Sequence, residues 1–124
     1  MLYIAYNGMR FEWDDAKNRS NQIKHSGIDF EMASRVLADP YLILRKDRVV
    51  DEEQRWHAIG AVSKLVLLVV HVYRQEESNG EETIRIISAR EANTRERRIY
   101  LEQANDRPAE ADGQETGKAS GKGR

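Results

Sequence analysis

The segment Lys64–Arg74 places the strongest limit on what this chain can fold into. It contains the longest uninterrupted apolar run, Leu65–Val70, and Val and Leu fall on both of its faces. Such a segment needs cover on both sides, so it reads as a central strand. Six residues are far short of the about 20 that carry a helix across a bilayer. Met1–Arg10 lacks a basic start followed by a long apolar core, so no signal segment and no membrane partner are expected.

Strands are expected on either side of this one. Arg55–Val62 puts Arg55, His57 and Ile59 on one face and Trp56, Ala58 and Gly60 on the other. Thr83–Arg90 (TIRIISAR) is the next strand, reached through a hairpin loop over Gln75–Glu82 that holds Asn79-Gly80. Tyr41–Arg45 is β-like, and Lys46–Gln54 reads as a charged loop. Strands joined by short loops must be antiparallel, because a parallel crossover needs a dozen or more residues.

Helices bracket the strands. Met1–Tyr6 reads as a short strand ending in an Asn7-Gly8 turn, and Phe11-Glu12-Trp13 alternates apolar and polar. Asp14 or Asp15 then caps a helix to about His25, with Ala16 and Ile23 on its apolar face and Gly27 as its stop. Asp29 caps a second helix from Phe30 to about Ala38, where Phe30, Ala33, Val36 and Leu37 form a core stripe and Ile28 staples back on Ala33. Asp39-Pro40 ends it. Asn93 and Glu96 form a capping box for a last helix, on which Glu96, Ile99, Tyr100 and Gln103 share a face. The expected fold is α+β: two layers, with two N-terminal helices and one C-terminal helix on one face of an antiparallel sheet of three to four strands.

Residues 1–103 read as a single domain. Met9 is a second candidate start, which would make the first eight residues dispensable. Ala104–Arg124 holds only four apolar residues, all Ala, too few to offset the entropy of ordering it, so a disordered tail is expected.

Lys and Arg number 20 against 21 Asp and Glu. That balance argues against a non-specific nucleic-acid binder but leaves room for a local basic groove. The absence of Cys excludes a disulfide scaffold, a thiolate zinc site and a Cys nucleophile. His25, His57 and His71 are scattered with no i, i+4 pair, and Gly8, Gly27 and Gly60 stand alone. Neither a metal site nor a cofactor is expected.

What remains is a cationic and imidazole set: Lys24, His25, Arg55, His57, His71, Arg85 and Arg90. Metal-free RNA cleavage asks for such groups. A 2′-OH must lose a proton, the phosphorane must be held by cations, and the leaving oxygen must gain a proton. Each residue also has a purely structural reading. Lys24 and His25 suit the negative end of a helix, and His57 suits a half-buried strand position. His71 suits a hydrogen-bonded core, Arg85 a solvated or ion-paired strand position, and Arg90 either a pairing with Glu96 or a phosphate.

Three blocks taken together resemble one family. The first is Phe11-Glu12-Trp13-Asp14 with Lys17, Asn21, Lys24-His25, Asp29-Phe30-Glu31 and Ala33. The second is Glu53-Gln54-Arg55 with Ile59-Gly60. The third is Leu67–His71 followed by Ile84–Arg90, Glu96-Arg97 and Tyr100. In this order they resemble the BrnT toxins of bacterial type II toxin–antitoxin systems, over about residues 11–102. The resemblance implies a RelE-like fold and a cytoplasmic endoribonuclease that halts translation. It also implies a BrnA-like ribbon-helix-helix antitoxin, through which alone operator DNA would be contacted. It assigns Lys24, His25, Arg55 and Arg90 to catalysis and Ser88 to substrate, and His57, His71 and Arg85 are the further substrate-binding candidates. The other reading is a non-catalytic module that binds the antitoxin and acts as a co-repressor.

Overall fold

The computed structural model describes residues 2–6, 8–75 and 81–106. Its elements in chain order are β1 (Leu2–Tyr6), β2 (Met9–Trp13), α1 (Asp15–Lys24), α2 (Phe30–Val36), β3 (Ile43–Val50), β4 (Glu53–Val62), β5 (Leu65–Gln75), β6 (Glu82–Glu91) and α3 (Thr94–Asp106). The Val/Leu-rich segment is β5, paired on both edges inside a six-stranded sheet of order β1-β2-β6-β5-β4-β3. The α+β class is as expected, but the sheet is larger than three to four strands and it is mixed.

Two additions account for the extra strands. The N-terminal segment forms a hairpin, with β1 antiparallel to β2 from Leu2↔Trp13 to Tyr6↔Met9. β2 then lies parallel to β6 through Arg10↔Thr83, Phe11↔Ile84 and Glu12↔Arg85. The short-loop rule governs only strands adjacent in sequence, and here two helices and three strands separate the parallel pair. At the other edge, the expected charged loop is mostly strand. β3 runs to Val50 and turns in two residues, Asp51 and Glu52, both with left-handed φ (51° and 67°). Two left-handed residues give the hairpin turn that matches strand twist, although neither is the Asn or Gly that normally announces it.

Both faces of the sheet are covered in part, so the two-layer expectation is corrected. One face carries α1 and α2 over a core of Phe11, Trp13, Phe30, Ala33, Val36, Ala58, Leu67, Val69, Ile86 and Ala89. The opposite face carries α3, whose Tyr100 packs with Ile59, Val66 and Leu68. α2 comes so close to β4 that a Cβ on Gly60 would lie 3.0 Å from Val36 Cγ1 and 3.1 Å from Val36 O. Asp39, just after α2, ties the two layers together. It accepts from Tyr41 N (2.9 Å), from Ala61 N (2.8 Å) and from the Tyr100 hydroxyl.

α2 buries its expected stripe, but α1 does not. Ile23 is 86% exposed and the buried α1 residue is Asn21. β2 stops at Trp13 while β6 continues to Glu91, which leaves the end of β6 without a strand on its β2 side, β5 being paired on the other. Asn21 takes that place. Its Nδ2 donates to Ala89 O (2.7 Å) and Ile28 O (3.0 Å), and its Oδ1 accepts from Ala89 N (3.1 Å). α1 is therefore held to the sheet edge by a polar clasp, which no apolar period reveals. The tail expectation begins inside α3, which runs through Asp106; residues 107–124 lie outside the described residues, as do 76–80 of the expected hairpin loop.

Candidate active site

β-Pairing decides which side chains meet. His57 in β4, Val70 in β5 and Ser88 in β6 lie in one row. Ile59, Leu68 and Arg90 lie in the next row, and Glu12, Arg85 and Val72 in another. Residues opposite one another share a face, so these rows lie on the face that carries α3. α3 covers only the Ile59–Leu68 end of it. Arg55, His57, Arg85 and Ser88 stand on the half that α3 leaves open, and Arg90 stands at the boundary.

On this half-open face the charges have distinct partners. Glu12 is buried and accepts from Arg85 Nη1 at 3.2 Å and from Arg74 Nη1 at 3.4 Å. Arg74 also forks onto Glu53, with Nε at 2.9 Å and Nη2 at 3.2 Å, and this pairing holds the Glu53 carboxyl below its ordinary range. His57 Nε2 lies 3.1 Å from Asp47 Oδ2. Arg55 differs from all of these: it is half-buried and its Nε is buried with no hydrogen-bond partner. A buried guanidinium N–H without a partner is costly, and the accessible remainder of the half-buried guanidinium is left to pair with an oxyanion.

Arg90 makes the pairing with Glu96 that its sequence allowed. Nη1 and Nη2 each donate at 2.9 Å to the two carboxylate oxygens, which raises the Arg90 pKa and lowers that of Glu96. Glu96 also completes the expected capping box, accepting from Asn93 N at 2.9 Å while its own N donates to Asn93 Oδ1 at 2.8 Å. One carboxylate thus anchors the α3 start and fixes the Arg90 fork.

Lys24 and His25 meet the sheet elsewhere. They line a cleft of about 280 Å³ between α1 and β6, together with Lys17, Ser20 and Ser88. The strand bulges here, because Ser88 pairs with Val70 and Ile86 with His71, leaving Ile87 without an opposite residue. Ser88 therefore joins the cleft to the open face.

His71 belongs to neither group. It pairs with Trp56 and Ile86 on the α1/α2 side and has no accessible surface. Neither ring nitrogen has a hydrogen-bond partner, and burial pushes its pKa down to about 4. It is a neutral core residue that no substrate reaches, and the expectation that it binds substrate does not fit its position. Sequence reasoning gave Glu12 and Glu53 no role beyond their place in the motif blocks, and it passed over Asp47. The one available signal was Glu12 itself, an acid between two core aromatics and hence pointing to the opposite face. No cluster of three or more His, Asp or Glu able to hold a metal ion occurs among the described residues. No helix among them is long and apolar enough to cross a membrane.

A family model described as the ribonuclease toxin BrnT of type II toxin–antitoxin systems matches residues 13–96. No curated protein matches the chain. The matched span starts at the last residue of β2 and ends at Glu96, so it takes in Arg55, His57, Ser88 and Arg90 as well as both walls of the cleft.

Proposed function

This chain belongs to the BrnT family of ribonuclease toxins of type II toxin–antitoxin systems, and we propose that it is a metal-independent endoribonuclease whose scissile phosphate lies on the half-open sheet face. The observation that carries this reading is Arg55, a half-buried guanidinium whose buried Nε has no protein partner, on the same face as His57 and Ser88.

The chemistry needs three things of the protein. Negative charge grows on the phosphoryl oxygens as the 2′-oxygen attacks, and Arg55 supplies a fixed, always charged donor for it. Arg90 adds a second guanidinium, held in place by Glu96. The 2′-OH proton goes to His57, which engages Asp47 through Nε2 and keeps Nδ1 as the proton acceptor. His25, across Ser88 in the cleft, is the second imidazole and protonates the leaving 5′ oxygen. Lys24 contributes electrostatics, Ser88 a hydrogen bond to substrate, and Arg85, buttressed by Glu12, a further cation beside Arg55. The toxin body is one RelE-like domain acting in the cytoplasm. Its antitoxin is a BrnA-like ribbon-helix-helix protein, which covers this face and alone contacts operator DNA.

A second reading rests on a specific observation: Arg74, Arg85 and Arg90 are already engaged by Glu53, Glu12 and Glu96. A non-catalytic antitoxin-binding co-repressor would have its cations neutralised in that way. Expression in a bacterial host separates the two. Growth arrest by the wild-type chain, relieved by the co-expressed antitoxin and absent with Arg55→Ala, supports the ribonuclease. Normal growth with soluble wild-type protein supports the co-repressor.

A further inference from the structure

The cleft between α1 and the β6 bulge has a composition that the scissile site alone does not require. Lys17, Ser20 and Lys24 fall at i, i+3 and i+7, one face of α1, and all three line it with His25 and Ser88. No Asp or Glu lines it. Neither lysine makes a salt bridge among the described residues. Lys24 sits in the last turn of α1, where the helix dipole by itself favours a cation. Lys17 lies in the first turn, where the dipole disfavours one, so capping does not account for it. Asp14 is committed to the helix start, accepting from Lys17 N at 3.1 Å, and it meets the Lys17 charge only through a Coulombic interaction, with no ion pair between the two.

The position of the cleft says what kind of anion it takes. Ser88 lines it and also ends the His57–Val70–Ser88 row of the open face. The two outer strands of that row are about 10 Å apart. On the ribonuclease reading, a single strand of RNA crossing β4, β5 and β6 would leave the sheet at the end of β6 and meet the cleft there. Asn21 keeps the way open, because its clasp on Ala89 holds α1 beside the strand without a covering third strand.

We propose that this cleft is a second phosphate subsite, holding the RNA phosphate next to the scissile one, with Lys17 and Ser20 as ligands alongside Lys24. The proposal rests on the ribonuclease reading above and extends it from one phosphate to a track of two. Lys17 touches only the flanking phosphate, so it acts in binding and not in the chemical step.

The test measures binding of a short 2′-O-methyl oligoribonucleotide, which lacks the attacking hydroxyl, by the full chain across a salt series. Lys17→Ala, an exposed position, is expected to weaken binding about two- to fivefold at low salt. The slope of log affinity against log salt should shrink by about 0.7, the value for one lost contact to a single strand. With cleavable RNA, KM should rise while kcat stays at the wild-type value. Unchanged affinity, slope and KM would overturn the subsite while leaving the scissile site untouched. Weakened antitoxin binding with unchanged RNA binding would overturn it too, and would make the cleft an acceptor for antitoxin carboxylates. If the wild-type chain neither binds the oligonucleotide nor cleaves RNA, subsite and ribonuclease reading fail together.

Discussion

His57 and His71 lie in adjacent rows of the same two strands, and they live in different solvents. His57 pairs with Val70, faces the half-open side and is braced by Asp47 at 3.1 Å. His71 pairs with Trp56, faces the α1/α2 side, and is fully buried with no partner for either nitrogen. Strand alternation alone sends one imidazole to the half-open face and the other to the core. The same division runs through the whole sheet. The helix-covered face is filled by Phe11, Trp13, Phe30 and Ile86, while the half-open face carries Glu12, Arg55, Arg74 and Arg85.

Substituting the two histidines in turn gives the largest expected difference between the faces. His57→Ala should lower the rate of RNA cleavage by about 100-fold or more, the usual worth of a positioned general base. His71→Leu should leave the rate within a few-fold of wild type. Comparable losses from both, in folded protein, would erase the distinction between the faces.

Acid stability reads the buried face directly. The pKa of His71 is about 4 in the folded chain against 6.5 for a free histidine, so the unfolded chain binds the proton first as pH falls. Stability should be independent of this group above about pH 6.5. It should then drop by roughly 3 kcal/mol as pH falls through 6.5 towards 4, at 1.36 kcal/mol per unit. Urea melts at pH 7 and pH 4 should show that loss in wild type and a smaller one in His71→Leu. Equal losses in both would place the acid sensitivity elsewhere.

A smaller effect is expected where the faces are tied together. Tyr100 donates to Asp39, and burial with that carboxylate raises the phenol pKa well above its usual value. Tyr100→Phe should cost about 1 kcal/mol in chemical unfolding, since Asp39 keeps its bonds from Ala61 and Tyr41. A change near zero would mean that Asp39 holds the layers without α3. The smallest effect belongs to α1. Ile23→Gln should stay within about 0.5 kcal/mol of wild type, because the side chain is 86% exposed. A larger loss would show that α1 docks through an apolar contact in addition to Asn21.

Legibility in the sequence followed the apolar period. α2 shows its buried stripe at Phe30, Ala33, Val36 and Leu37, and β5 its two-sided burial, because burial of apolar surface is what shaped those segments. α1 was misread at Ala16 and Ile23, since its attachment is three hydrogen bonds from one amide. β3 was half hidden by Arg45, Lys46, Asp47 and Arg48, charges that suit an exposed edge strand as well as a loop. The parallel β2–β6 pair was invisible because it is set by packing of distant segments and not by any local signal. For the site, alternation correctly placed Arg55 with His57 and apart from Trp56. The pairings of Glu12, Glu53 and Asp47 with Arg85, Arg74 and His57 were not legible, because only the fold brings them within reach.

In the proposed ribonuclease, Arg55 holds the scissile phosphate on a face that cleaves RNA without metal. Its most direct test is the single-turnover cleavage of RNA in excess chelator by purified wild type and by Arg55→Ala. Wild-type cleavage should be undiminished and the variant should lose about 100- to 1000-fold, the usual cost of removing one donor aimed at transition-state charge. Cleavage by wild type that vanishes with the chelator, or a folded Arg55→Ala that cleaves at the wild-type rate, would contradict it.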